Sequence, residues 1–299
     1  MPGPKSHRMF ETEDFLSKNP EGQKETPQEI KAERTRSPLE TPEEELLETR
    51  ENTTSSWLEG GINEACFIEL KDDGSGIFKP GNGENKFLPE RNRPLRKNAE
   101  AGTYYLRERA AYLVDKFLGF DLIPPTVIRT INGAEGSFQQ FVPDAETLFA
   151  RELVGTQWKR KGRKERERIK GGQLQGELLK LWIFDYIIYN SDRHGGNFLV
   201  KDDKVYAIDN GLAFAPDKLR RNYGKFWDVS IPDELKEKFE SFLSQEDKQK
   251  VLKDLLSELL KPGEVEACLG RIETIGRIIA SKGSITTGSK KELKFQPKK

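Results

Sequence analysis

The sequence predicts an α+β fold in two lobes, a small β-rich first lobe with one helix and a larger, mostly helical second lobe. Three observations predict it. Short alternating apolar runs between Trp57 and Pro143 are punctuated by Gly, Pro, Asn and Asp. One stretch of helical spacing interrupts those runs, and after Asp144 helical spacing takes over. The expected boundaries are a tail over 1–55, a first lobe over 56–143, a second lobe over 144–281 and a basic tail over 282–299, with the hinge near Asp144.

In the first lobe, Ala65–Leu70 alternates as a half-buried strand does, Asp72-Asp73-Gly74 is a turn, and Gly76–Lys79 resumes extended. Over Glu100–Phe117, Tyr105, Leu106, Ala110, Leu113, Val114 and Phe117 fall at helical spacing; Gly119 stands at the C-cap and Pro124-Pro125 forbids continuation. Val127–Ile131 and Ser137–Val142 read as a strand pair joined through Asn132-Gly133. In the second lobe Gly176–Tyr189 is apolar on most faces, as a buried helix is. Val251, Leu252, Leu255, Leu256, Leu259 and Leu260 form an amphipathic stripe, whose start Ser244 and Asp247 would cap.

The bulk properties fit a folded unit with polar extensions. Apolar residues make up 34% and charged residues 33% of the 299. Residues 1–55 carry few aromatics and bury too little to offset the entropy of ordering, so they read as a disordered tail. A short helix near Pro42–Arg50 would have little to pack against. Formal net charge is zero, which removes any global electrostatic case for nucleic acid. Two distant cysteines and two histidines build neither a disulfide framework nor a zinc site, and a reducing, cytoplasmic setting is expected. The N-terminus lacks the apolar core of a signal peptide, and no run reaches the ~18 apolar residues of a membrane helix.

The chemistry lies in FDYIIYNSDRHGGNFLVKDDKVYAIDNGLAF. A buried helix ends near Tyr189, a polar loop Asn190–Asn197 follows, and strands Phe198–Lys201 and Lys204–Ile208 are joined by Asp202-Asp203. Phosphoryl transfer needs oxygen ligands to hold Mg²⁺ against phosphates and a group to orient or deprotonate the acceptor hydroxyl. A catalytic Asp, four residues, an Asn, a hairpin and an Asp-x-Gly supply this in protein kinases. Asp192 and Asn197 have that spacing, and Asp209-Asn210-Gly211 takes the Asp-x-Gly place. Asp192 is thus the candidate catalytic residue, with Asn197 and Asp209 as metal ligands. A helix-capping turn would use the same residue types singly, but not at these offsets around a hairpin. His194 divides between an acceptor or phosphate contact and a loop-stabilising hydrogen bond; Arg193 reads as a loop scaffold.

With these residues in hand, the chain resembles the phosphatidylinositol 3-/4-kinase-like family within the protein-kinase-like superfamily, most of all the type II phosphatidylinositol 4-kinases. The matching blocks run from about Trp57 to Phe214. They are Ile77-Phe78-Lys79-Pro80, Arg107-Glu108 with Ala110–Asp115, Ile123–Thr126, Gly136–Val142, Phe184–Ile188 leading into Asp192-Arg193-His194, and Ala207–Phe214. The resemblance implies ATP with Mg²⁺, or Mn²⁺ in its place. It implies that Lys79 neutralises the α- and β-phosphates and is held by Glu108, with Glu100 as the alternative partner. Ile77 would cover the adenine and Phe141-Val142 would present backbone groups to its edge. The phosphate-covering loop would fall at Glu59–Ala65 with Gly60 and Gly61, although it lacks Gly-x-Gly-x-x-Gly and brings in Glu64. The cysteine-rich palmitoylation patch of type II enzymes has no counterpart here.

The acceptor stays open among an inositol lipid, a protein and a small molecule, the last two as in the HipA-type kinases. A nucleotide-binding pseudokinase scaffold is the reading of a different class. The basic run Trp158–Lys170, interrupted by Glu165 and Glu167, reads as a solvated helix face or loop, with peripheral contact to an anionic membrane surface as its alternative.

Overall fold

A computed structural model describes residues 40–58, 63–84, 100–147, 174–190, 192–214 and 229–282, together with 87–88, 93–94, 151–154, 157–160, 284–285, Glu167 and Gly172. The chain divides into two compact units, residues 1–106 with 125–141, and residues 107–124 with 142–299.

The first unit begins at helix α1 (Pro42–Thr49). Thr41 accepts the Glu44 N–H, the Glu44 carboxylate accepts the Thr41 N–H, and Pro42 opens the helix, a complete capping box. Strands β1 (Asn52–Trp57), β2 (Cys66–Leu70) and β3 (Ser75–Pro80) follow, then two short paired strands, β4 (Phe87–Leu88) and β5 (Arg93–Pro94). The chain then enters helix α2 (Tyr104–Leu118), which from Arg107 onward belongs to the second unit, and the first unit resumes with β6 (Thr126–Ile131) and β7 (Ala134–Gln140). The sheet is antiparallel in the order β1-β2-β3-β7-β6. Cys66, Ile68, Leu70, Phe78, Val127 and Phe138 fill one face with Leu47 of α1.

Residues 42–55, assigned to the tail by composition, are therefore folded. The missing partner for α1 is Arg129 of β6, which donates to the Leu47 and Arg50 carbonyls, while Leu47 enters the core. Masking by flanking polar sequence hid a local signal, the Thr41/Glu44 box. Asn132 and Gly133 take φ of 50° and 77°, the left-handed pair that a tight hairpin turn demands. Helix α2 starts at Tyr104, not at Glu100, because Gly102 turns left-handed just before it (φ 89°). Its open N–H groups are taken by Glu84, whose carboxylate accepts from Gly102 (2.6 Å), Tyr104 (2.8 Å) and Tyr105 (2.7 Å). Glu100 lies exposed ahead of the helix.

In the second unit, β8 (Glu146–Thr147), β9 (Arg151–Val154) and β10 (Gln157–Arg160) precede helix α3 (Gln175–Ile187). Strands β11 (Phe198–Lys201) and β12 (Lys204–Ala207) form a hairpin, with β8 on the far side of β11. Then come β13 (Val229–Ser230), α4 (Asp233–Leu243), α5 (Glu246–Leu259), α6 (Pro262–Lys282) and β14 (Ser284–Ile285), which pairs with β13. The first residues of the basic run, Trp158–Arg160, belong to strand β10, paired with β9, and not to a helix face; most of the rest of the run lies outside the described residues. Likewise Ser284–Ile285, expected in the C-terminal tail, is a strand; residues 1–39 and 286–299 lie outside the described residues. Ser244 caps the end of α4, giving its hydroxyl to the Ser241 carbonyl, and α5 starts without a side-chain cap.

Helix α3 is the spine of this unit. Leu178, Leu181, Ile183, Phe184 and Ile187 are buried in one core with Phe120, Phe239 and residues of α5 and α6. Phe120 sets its ring edge-on to both Phe184 and Phe239, at 6.2 and 5.6 Å. Asp115 of α2 is fully buried and accepts the Leu122 and Ile123 N–H groups (3.0 Å each). Leu122 in turn accepts the Ala207 N–H at 2.7 Å, so this turn also steadies the end of β12.

Gly136 of β7 faces Pro80 of β3 so closely that a Cβ there would stand 2.8 Å from the Pro80 Cα. Gly136→Ala is expected to lower unfolding free energy in urea by about 1–3 kcal/mol, as overpacking does. Burial pushes the Asp115 carboxyl from 3.8 up to about 7, against the pull of its two backbone donors. The folded chain then binds the extra proton between those values, so Asp115 contributes a stability that declines as pH rises from about 4 to 7. Thermal melts across that window should show a shallower decline for Asp115→Asn than for the native chain.

Candidate active site

The site residues of the second unit are assembled by one buried cation. Asp185 sits inside the apolar helix α3 and is 1% exposed; Arg193 is 6% exposed. A carboxylate in such a place must be paired to be tolerated. Arg193 meets it with Nε and Nη2, at 3.1 Å to each oxygen and 3.0 Å to Oδ1. The same guanidinium donates to the Asn197 carbonyl, to the Ile208 carbonyl (2.7 Å) and to Asn210 Oδ1 (2.6 Å). Five acceptor atoms on the helix, the loop and the exit of the hairpin thus converge on one side chain. A lysine could not span them, because only the planar fork offers five fixed donors.

Around this clasp the backbone is fixed at each turn. Tyr189 ends α3 in a left-handed conformation (φ 50°), and the Asn190 N–H returns to the Asp185 carbonyl. Asn190 Oδ1 accepts the Asp192 N–H at 3.0 Å, and its Nδ2 donates to Asn210 Oδ1 at 3.3 Å. Asn197 donates its Nδ2 to the Asp192 carbonyl (3.0 Å), while Ile208 N–H reaches the Asn197 carbonyl (3.1 Å). Asp192, Asn197 and the start of the Asp209 segment therefore belong to a single hydrogen-bonded frame. Asp202 and Asp203 make the hairpin turn with φ of 45° and 65°.

Asp209 itself is exposed and left-handed (φ 58°), a conformation open to Asp at modest strain. The next residue, Asn210, is fully buried, and its N–H is held by Glu108 Oε2 at 2.9 Å. The donor set suits a hard cation. Because Asn197 spends its amide nitrogen on Asp192, its oxygen is the end that could face a cation, and the Asp209 carboxylate could be a second oxygen ligand. Among the described residues no group of three or more His, Cys, Asp or Glu is arranged for a metal. A pair of oxygen ligands completed by phosphate and water is the Mg²⁺ pattern, not the zinc pattern.

His194 is exposed, and its Nδ1 accepts the Gly196 N–H at 3.0 Å, the loop-stabilising bond of the two alternatives. Lys79 and Ile77 lie on one face of β3 in the first unit, Ile77 opposite Phe67 and Gln139. Phe141 is 39% exposed and packs edge-on against Phe67 at 5.1 Å, an aromatic neighbour that the sequence pattern alone did not single out. Val142 begins the next segment of the second unit. Gly60 and Gly61 lie outside the described residues.

Residues 161–261, which hold the whole Asp192–Asp209 frame, match the family described as phosphatidylinositol 3- and 4-kinase. The fold is kinase-like. The match continues past Phe214 into α5, where the sequence offered only helical character, and it names the 3- and 4-kinases together without singling out type II. A structure of hydra Fam20 with sugar superposes with a TM-score of 0.51 at 16% identity, covering 80% of this chain and 88% of that one. The Golgi casein kinase with Mn/ADP bound superposes with a TM-score of 0.50 at 18% identity, covering 82% and 78%. Protein Rv2133c of Mycobacterium tuberculosis is 30% identical over 164 residues, 48% of this chain and 56% of that protein. The match thus spans little more than half of that relative's length. No helix among the described residues is long and apolar enough to cross a membrane.

Asp185→Asn leaves the Arg193 charge buried without its counter-ion. It should lower unfolding free energy by about 3–5 kcal/mol in denaturant titration; a loss below ~1 kcal/mol would show that the clasp is not what holds the loop.

Proposed function

We propose that the chain is an ATP- and Mg²⁺-dependent kinase that passes the γ-phosphate of ATP to a hydroxyl acceptor. The observation that carries the reading is the Arg193 clasp. It ties Asn197, and through it Asp192, to the backbone just before Asp209. The order and spacing of these residues in the chain are those of a kinase catalytic loop and its Asp-x-Gly. The phosphatidylinositol 3- and 4-kinase match over the same residues supports the chemistry, and the Mn/ADP of the Golgi casein kinase supports a divalent cation with a nucleotide.

Each residue then has a task. Asn197 Oδ1 and the Asp209 carboxylate would hold the cation, which when bound neutralises charge on the phosphates. Asp192 orients the acceptor hydroxyl and takes its proton. Lys79 offers positive charge to the α- and β-phosphates, with Glu108 as its expected counter-ion, and Ile77, Phe141 and Val142 take the adenine. Glu108 has a second duty in this chain, since it accepts the Asn210 N–H. His194 keeps the glycine turn of the loop in shape. The acceptor proposed is an inositol lipid, on the family match; a protein hydroxyl is the alternative.

With labelled ATP, Asp192→Asn should reduce turnover by roughly 10²–10⁴-fold while the protein remains folded. Asp209→Asn should raise the Mg²⁺ needed for half-maximal rate. Native chain that binds ATP without turning it over would instead support a pseudokinase scaffold. Offering phosphoinositide vesicles beside cell lysate separates the acceptors, because label found only in protein rules out the lipid.

A further inference from the structure

The Asp209–Ala213 turn is held from a second side, by two consecutive residues of α2. Glu108 takes the N–H of Asn210 at one end, and Arg107 Nη1 donates to the Ala213 carbonyl at the other, at 2.7 Å. The turn closes on itself through the Ala213 N–H and Asn210 carbonyl, 2.9 Å. Arg107 is in turn paired through Nη2 with Glu264 Oε1 at 2.6 Å, both side chains 4% exposed. Glu264 is anchored at the start of α6, where its other oxygen accepts the Lys261 N–H at 3.1 Å. It lies three residues beyond the end of the family match.

This pair is poorly explained by stability. Burying two charges costs much of what their attraction returns, and apolar replacements of similar volume are often as stable. Here the cost is higher still, because Arg107 Nε is buried with no hydrogen-bond partner among the described residues. What apolar side chains could not supply is a directed donor to the Ala213 carbonyl. We propose that Arg107 and Glu264 are positioning residues that set the Asp209 turn, and through it the affinity of Asp209 and Asn197 for a divalent cation. This rests on the kinase reading of the same site. Groups that orient the ligands of a metal in this way commonly change its affinity by 10–100-fold when removed.

The test compares native chain, the double variant Arg107→Met/Glu264→Leu and the single variant Arg107→Lys. Mn²⁺ binding is read by electron paramagnetic resonance in the presence of ADP, beside thermal melts. The double variant should melt at or above the native temperature and yet need on the order of 10–100-fold more Mn²⁺ for half-saturation. Arg107→Lys, which keeps a charge for Glu264 but not the two-point fork, should shift in the same direction by less. A double variant that folds and binds Mn²⁺ as the native chain does overturns the proposal. If the double variant does not fold, unchanged Mn²⁺ binding by Arg107→Lys overturns it. Native chain that binds no Mn²⁺ overturns it outright. Native chain that binds Mn²⁺ and ADP but transfers no phosphate overturns the kinase reading alone, since the binding comparison still decides this one.

Discussion

One buried guanidinium organises the second unit. Arg193 is held by Asp185 from within an apolar helix and spends its remaining donors on the loop and on the exit of the hairpin. The arrangement satisfies a physical demand before it serves any chemistry. A carboxylate in the last turn of a buried helix needs a cation, and a buried cation needs acceptors for every donor it can fill. The backbone carbonyls of Asn197 and Ile208 meet that need. In doing so they tie the Asp192 loop to the segment that leads from β12 to Asp209. Rigidity at the site thus follows from satisfying a buried charge.

A second layer of the same logic surrounds the first. Glu108 and Arg107 grip the two ends of the Asp209–Ala213 turn, and Arg107 passes the tie to Glu264 at the start of α6. Asp115, about two turns further along α2, steadies Leu122 and through it Ala207, two residues before Asp209. Three acidic or basic side chains of one helix therefore bear on one short segment. The same helix also buries Ala110, Leu113, Val114 and Phe117 in the core.

What was legible in the sequence was local. Asn132-Gly133 and Asp202-Asp203 announced their turns because so few residue types accept positive φ, and both hairpins form where expected. The strands around them and the buried helix α3 followed from periodicity. The spacing of Asp192, Asn197 and Asp209 could be read for the same reason, since the hairpin between them sets their separation. What was not legible depends on long-range closure. Glu84 caps a helix twenty residues away, and Arg107 meets Glu264 across 157 positions. Helix α1 and strand β1 were lost in a polar background, although the Thr41/Glu44 box was a usable signal. Asp185 also offered one, as a lone acid in LLKLWIFDYIIY that required a partner.

The central claim is that the clasped frame is a cation and nucleotide site. It is tested most directly by a crystal structure of the native chain with Mg²⁺ and a non-hydrolysable ATP analogue. The account predicts a Mg²⁺ ion on the Asp209 carboxylate and Asn197 Oδ1, with the terminal phosphate facing Asp192. A cation and nucleotide bound elsewhere, with these three residues untouched, would contradict it.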